Sequence, residues 1–129
     1  NNIFEKINNT DTDDSLKSFV TNKFNKIQEL FNSIHITFSP RVLHMIKKYC
    51  LAADKLELME TNGNELIALD YAVSQKILPM INGQGDKYKE LVDSLILLTD
   101  KMPICYKILN NIKQNAETNG MEYYSFFAR

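Results

Sequence analysis

The chain has 129 residues, of which 44% are hydrophobic and 24% are charged, which is the composition of an ordinary globular domain. A formal net charge of −1 provides no basic field for nucleic acid or anionic lipid, so we expect no direct contact with nucleic acid. No run of about 18 apolar residues is present to span a membrane. One hydrophobic core is enough at this length, and we predict a single helical domain over 1–129.

The start of the chain indicates either a processed N-terminus or a fragment of a larger protein, and we favour the fragment. Its first residue is Asn1 rather than Met, and no basic-then-apolar leader of the kind that directs secretion opens the sequence. We therefore expect a cytoplasmic location. Residues 1–14 form a polar N-terminal segment, residues 15–118 the predicted helical bundle, and residues 119–129 an aromatic C-terminal tail.

The first amphipathic helix is predicted over about Ser15–Ser33. Its apolar residues recur at intervals of three and four, which is typical of one buried stripe. Asp13 or Asp14 can cap it. The β-branched and aromatic segment His35–Phe38 then breaks the pattern. The predicted buried side chains are Leu16, Phe19, Val20, Phe24, Ile27, Leu30, Phe31 and Ile34.

The second helix has a recognisable start. Ser39 is a favoured N-cap residue, and Pro40 follows at the first helical position, where its missing N–H costs nothing. The second helix is predicted to end near Asn62 and Gly63, which indicate a turn. The predicted buried side chains are Val42, Leu43, Ile46, Tyr49, Cys50, Ala53 and Leu56.

Three further helices complete a predicted all-α, compact bundle of about five helices. The third covers about Leu66–Leu78 and ends or kinks before Pro79. "INGQGD" at 81–86 is expected to be a mobile two-glycine turn. The fourth runs over about Asp86–Thr99, and the fifth begins at Pro103. The predicted buried side chains are Leu69, Val73 and Ile77 in the third helix, Tyr88, Leu91, Val92, Leu95 and Leu98 in the fourth, and Ile104, Cys105, Ile108, Leu109 and Ile112 in the fifth.

The tail "MEYYSFFAR" contains four aromatic residues in nine. We expect it to lie on the bundle as an extended or short helical segment, because an exposed aromatic patch of that kind would bind something else.

Few side chains indicate catalysis or metal binding. Cys50 and Cys105 lie in apolar helical stretches and are interpreted as small buried hydrophobic residues. His35 and His44 complete no zinc pattern with them, so no metal site is predicted. A small enzyme that uses Cys50 or His44 is one hypothesis for function, although no second catalytic group supports it.

Two other patterns are interpreted as solvent-exposed surface. Asp70 and Ser74 lie one turn apart on the third helix, and no further acid or base accompanies them, so we expect a solvated face. "NGQGDKY" at 82–88 has two glycines and a lysine, but it fits no phosphate-binding loop, and we expect a solvated turn. No catalytic residue is predicted.

Arg41 is the one internal arginine in a chain whose 15 basic residues are otherwise lysines apart from Arg129. Its guanidinium is a planar fork of donors that matches phosphate or carboxylate. The first turn of a helix also offers backbone N–H groups to an anion. Taken by itself, Arg41 is better explained as an exposed or salt-bridged surface residue.

The sequence around Arg41 resembles a known family. "FSPRVLHMIKKYCLAADK" at 38–55 resembles the second-sensor helix in the small α-helical lid of AAA+ ATPases, and "SPR" is similar to the motif of MoxR-type members. "ALDYAVSQKILPMINGQG" at 68–85 looks like the next lid helix in motor subunits of McrB-type restriction systems. "YKELVDSLILL" and "PICYKILNNI" continue the same order, and the resemblance covers about 15–127.

The resemblance implies an AAA+ lid-like fold and a role in nucleotide sensing. By this resemblance Arg41 is the second-sensor residue, and Ser39 and Pro40 fix the helix start that aims it. The parent protein would bind ATP or GTP with Mg²⁺, through a large AAA+ domain of the same chain. Neighbouring ring subunits and a nuclease subunit would be its partners. The Walker loops are missing from this sequence, so the isolated chain is expected to bind no cofactor and to be no enzyme itself, whereas the parent protein would be an NTPase.

A hypothesis from another class is a stand-alone helical protein–protein interaction module. In that case the aromatic tail or a helical groove would bind a partner protein, and nucleotide would play no role.

Overall fold

The computed structural model describes residues 18–55, 66–118, 120 and 122–128, and within these ranges the protein is a bundle of five α-helices. The predicted all-α architecture is confirmed. The expected caps at Asp13 and Asp14, the turn at Asn62 and Gly63, and the side chains of Leu16 and Leu56 lie outside the described residues. The helices are α1 (Ser18–Asn32), α2 (Pro40–Lys55), α3 (Ile67–Lys76), α4 (Asp86–Leu98) and α5 (Pro103–Thr118).

The helices do not pack in chain order. α2 packs on α3, α3 on α5, α5 on α4, and α4 on α1. α3 therefore lies between α2 and α5 and has no broad solvent-facing side. The consequence is visible in its burial, which includes polar as well as apolar residues: Ala68, Leu69, Asp70, Ala72, Val73 and Ser74.

The buried stripes of the amphipathic helices follow the predicted spacing, with three exceptions. Phe19, Tyr49 and Ile104 were expected in the core, but the exposed fractions of their side chains are 40%, 41% and 39%. Each directly precedes a fully buried residue, so it is turned about 100° away from the centre of the stripe. The core members of these stripes are Val20, Phe24, Ile27 and Phe31 in α1, Leu43, Ile46, Cys50 and Ala53 in α2, Leu91, Val92 and Leu95 in α4, and Cys105, Leu109, Ile112 and Ala116 in α5.

A two-stranded antiparallel ribbon replaces the expected mobile turn. β1 (Asn82–Gln84) pairs with β2 (Tyr123–Ser125), and Gly83 lies opposite Tyr124. The Tyr123 hydroxyl also donates a hydrogen bond to the Asn82 side chain. The expected turn is a strand instead, because the tail supplies a partner strand, whereas Asn82 and Gln84 are exposed, as a solvated segment should be.

The aromatic tail lies on the bundle. β2 and the 3-10 turn at Phe126–Ala128 pack on α5. Tyr124 is only 1% exposed, whereas the Phe127 side chain is 77% exposed. The tail was expected to be extended or a short helical segment, and it contains both: the strand β2 is followed by the 3-10 turn.

Two polar contacts join helices across the bundle. The Lys23 ammonium of α1 donates to the carbonyl oxygen of Leu98 over 2.8 Å, which places a cation at the C-terminus of α4. Lys113 of α5 lies 2.9 Å from Asp93 of α4. None of the helices in the described ranges is long and apolar enough to cross a bilayer.

Candidate functional site

The start of α2 has the geometry that the sequence predicted. Ser39 Oγ accepts a hydrogen bond from the backbone N–H of Val42 at 3.2 Å, and the Ser39 carbonyl accepts one from Leu43 at 3.1 Å. Pro40 is the first helical residue. The local N-cap is confirmed, and it fixes the direction in which α2 leaves the preceding loop.

Arg41 lies in the first turn of α2 with an exposed side chain. Within the described parts of the chain, no carboxylate forms an ion pair with its guanidinium. The exposed fork of donors at this capped helix start can therefore bind an anion that the described residues do not supply.

The same face of α2 continues into an apolar groove. Arg41, Met45 and Tyr49 recur every four residues and so lie along one side of the helix. The groove between α2 and α3 has a volume of about 170 Å³. The Tyr49 and Tyr71 rings lie across it with their centroids 5.6 Å apart. The lining residues are Met45, Ile46, Tyr49, Tyr71, Ala72, Gln75 and Lys76.

Asp70 has a structural role, and the prediction that it lies on a solvated face was wrong. The Asp70 side chain is fully buried and accepts hydrogen bonds from the backbone N–H groups of Ile104 and Cys105, both at 2.8 Å. It therefore caps α5 from the neighbouring helix. The position before Pro103 is held by Met102, whose buried side chain cannot cap the helix. A methionine at that position is the one sequence signal that could have indicated an acceptor elsewhere in the chain.

Ser74 was also expected on the solvated face and is fully buried instead. Its hydroxyl donates to the carbonyl oxygen of Tyr71 at 2.7 Å, within the same helix. Because α3 packs against both α2 and α5, its buried polar side chains need hydrogen-bond partners inside the bundle. Asp70 and Ser74 are both engaged in structural hydrogen bonds and form no catalytic pair.

Both cysteines are buried, as predicted. Burial raises the pKa of the Cys50 thiol to about 12. The pKa of Cys105 is raised by burial first, and then by the hydrogen bond and negative charge of Asp70. The Cys105 thiol donates to the Asp70 carbonyl oxygen at 3.3 Å. Neither cysteine has the thiolate character that a nucleophile needs.

His44 is exposed on α2. Among the residues that the structure describes, no group of three or more His, Cys, Asp or Glu side chains is close enough to hold a metal ion. Of the predicted site residues, the structure brings Ser39, Pro40 and Arg41 together at one helix start, and the groove beside them was missed because its two walls come from different helices.

These features define a small all-α domain with an exposed cation at a capped helix start. A family model described as "Domain of unknown function (DUF8727)" matches residues 1–123, and the chain belongs to that family. No curated protein and no solved structure gave a significant match to the chain.

Proposed function

We propose that this chain is the C-terminal lid domain of an AAA+ NTPase of a McrB-like restriction or defence system, and that it senses nucleotide state and supports ring assembly. The observation that carries the proposal is the exposed guanidinium of Arg41, held at the capped start of α2 with no ion-pair partner in the described residues. A buried or internally paired arginine would leave nothing for a companion domain to engage.

The mechanism follows from the rigidity of this helix start. Ser39 and Pro40 fix where α2 begins, so the direction of Arg41 is coupled to the orientation of the whole bundle. In the parent protein the guanidinium would contact the terminal phosphate of ATP or GTP, bound with Mg²⁺ by the large domain. Loss of that phosphate would remove the contact, and the lid would rotate as a rigid body.

The remaining partners follow from the same proposal. Neighbouring ring subunits would contact the lid, and a nuclease subunit would act with the assembled ring. The protein would work in the cytoplasm, and this domain would contribute no catalytic residue and no direct contact with nucleic acid.

Hydrolysis by the full-length protein tests the proposal. Arg41→Ala removes the phosphate contact and should lower nucleotide turnover by roughly 100-fold, the effect of losing one transition-state donor. Lys89→Ala, which removes an exposed cation from α4, is the matched control and should leave turnover unchanged. Wild-type turnover in Arg41→Ala would refute the assignment.

The second candidate is a stand-alone protein–protein interaction module. It is favoured by exposed apolar side chains on the groove, namely Met45, Tyr49 and Tyr71, and by Phe127 in the tail. The coding sequence upstream of Asn1 separates the two candidates. A Walker-type phosphate loop encoded there supports the motor, and an upstream sequence that lacks one supports the module.

A further inference from the structure

We propose that the groove between α2 and α3 binds an acidic amphipathic helix of a partner protein, whose apolar side chains enter the groove between flanking carboxylates. This inference goes beyond the proposed nucleotide role, because all the residues that line and flank the groove belong to this chain and none comes from a large AAA+ domain. It rests on three properties of the described residues, which are the groove's shape, its apolar lining and the sign of the charges around it.

The groove is too small to enclose a typical small-molecule ligand, but it is large enough to receive protein side chains. Its volume of about 170 Å³ lies below the roughly 300–1,000 Å³ of typical small-molecule pockets. It is partly open to solvent and lies between two helices, the position in which a groove receives a third, amphipathic helix.

Three large side chains of the apolar lining are exposed to solvent and lie close together. Tyr71 is 47% exposed and Tyr49 is 41% exposed, and their rings lie 5.6 Å apart over the groove. Met45 lies one turn before Tyr49 and is 39% exposed. Tyrosine and methionine supply large, adaptable contact area, and exposed clusters of such side chains mark interaction surfaces.

The exposed charges in the described parts of the two helices that line the groove have one sign. Over residues 40–53 and 67–76, the exposed charged side chains are Arg41, Lys48 and Lys76. The one acid in these ranges is Asp70, which is fully buried and turned toward the start of α5. The chain as a whole has a net charge of −1, whereas these three described, exposed side chains are all basic. Charge complementarity therefore selects an acidic occupant.

Two other occupants fit less well. A second copy of the chain on a two-fold axis would place this positive face against itself, and like charges would oppose the contact. A nucleic acid would need a broader basic field than three exposed cations can provide, and the groove lining is mainly apolar.

Peptide binding to the 129-residue chain tests the inference. The probe is a fluorescent peptide of about 16 residues, long enough to form a helix when bound, with leucines on one helical face and glutamates on the other. Two comparison peptides are used, one with lysine in place of glutamate and one with the acidic sequence scrambled so that it has no apolar face. Fluorescence anisotropy should show saturable binding of the acidic amphipathic peptide, about tenfold or more tighter than either comparison peptide.

Variants of exposed residues locate the binding site. Tyr71→Ala and Lys76→Glu should each weaken binding of the acidic peptide about tenfold, because one removes an apolar contact and the other reverses a charge at the rim. Leu97→Ala, which changes an 81% exposed side chain on α4, should leave binding unchanged. Circular dichroism of each variant checks that the bundle is still folded.

Several outcomes would overturn the inference. These are equal binding of the lysine peptide, no binding of the acidic peptide to a folded chain, or binding that Tyr71→Ala and Leu97→Ala affect alike. Tighter binding of a single-stranded oligonucleotide would assign the face to nucleic acid, and dimerisation abolished by Tyr71→Ala would assign it to a second copy. None of these results depends on nucleotide hydrolysis, so failure here is distinguishable from failure of the AAA+ proposal.

Discussion

The helices α2 and α5 both begin with backbone N–H groups that have no acceptor within the helix. The two helix starts differ in where the acceptor comes from and in where the nearby charge lies. α2 is capped locally by Ser39, and its charged residue, Arg41, faces solvent. α5 begins after the buried Met102 and is capped by Asp70, a buried charge from α3. The charge at α5 is satisfied within the bundle, whereas the charge at α2 has no ion-pair partner among the described residues. The contrast predicts that Asp70 determines stability and that Arg41 determines function.

The largest expected effect is on the buried cap. Asp70→Ala removes two charge-assisted hydrogen bonds and leaves the N–H groups of Ile104 and Cys105 buried without an acceptor, so the free energy of unfolding should fall by about 3 kcal/mol. Urea denaturation of the 129-residue chain measures this. Asp70→Asn keeps one acceptor oxygen and should lose less. Unchanged stability in Asp70→Ala would mean that α5 needs no remote cap.

The buried thiols give the next effect, which depends on pH. Burial raises the pKa of Cys50 from 9.0 to about 12, so above about pH 9 the unfolded thiol ionises while the folded thiol stays protonated. Stability should therefore fall as pH rises, and Cys50 contributes about 1.4 kcal/mol per pH unit until its folded pKa is reached. Urea denaturation between about pH 9 and pH 11 should show a shallower fall in Cys50→Ala. Equal slopes in the two proteins would contradict this.

Loss of the local cap should have a smaller effect. Ser39→Ala removes the acceptor for the Val42 N–H, and because this site is exposed, water can replace the hydroxyl. We expect a loss of about 1 kcal/mol in the free energy of unfolding, measured by urea denaturation. A loss as large as that of Asp70→Ala would remove the distinction between the two helix starts.

The smallest effect on stability is expected at Arg41. Its side chain is exposed, so Arg41→Ala should change the free energy of unfolding of the 129-residue chain by less than about 0.5 kcal/mol. A thermal melt of this variant beside Lys89→Ala checks it. Marked destabilisation in Arg41→Ala would give this arginine a structural role.

The same contrast explains which features the sequence could predict. Local signals predicted Ser39 and Pro40 at the start of α2, because a cap and the helix it starts are adjacent in the chain. Three-four spacing predicted the stripes of the outer helices, because each has one face in the core. Where a side chain lay one position beside a stripe, as Phe19 and Tyr49 do, the spacing placed it in the core wrongly.

Features built from distant residues escaped prediction. The Asp70 cap joins positions more than thirty residues apart in the sequence. Because α3 is packed on two sides, its sequence has no clear division into an apolar and a polar face, so the spacing did not indicate that Asp70 and Ser74 are buried. The ribbon of β1 and β2 pairs two three-residue strands, each too short to show alternation, and the glycines of "INGQGD" were typical of a turn. The groove between α2 and α3 could not be predicted from the sequence either, because its two walls come from different helices.

Nucleotide hydrolysis by the full-length protein with Arg41→Ala and Arg41→Lys tests the central claim most directly. The account predicts that both variants lose turnover, Ala by roughly 100-fold, because a lysine keeps the charge but not the fork of donors. It also predicts that the 129-residue chain with Arg41→Ala keeps the stability of the unchanged chain. Wild-type turnover in Arg41→Ala would contradict the account.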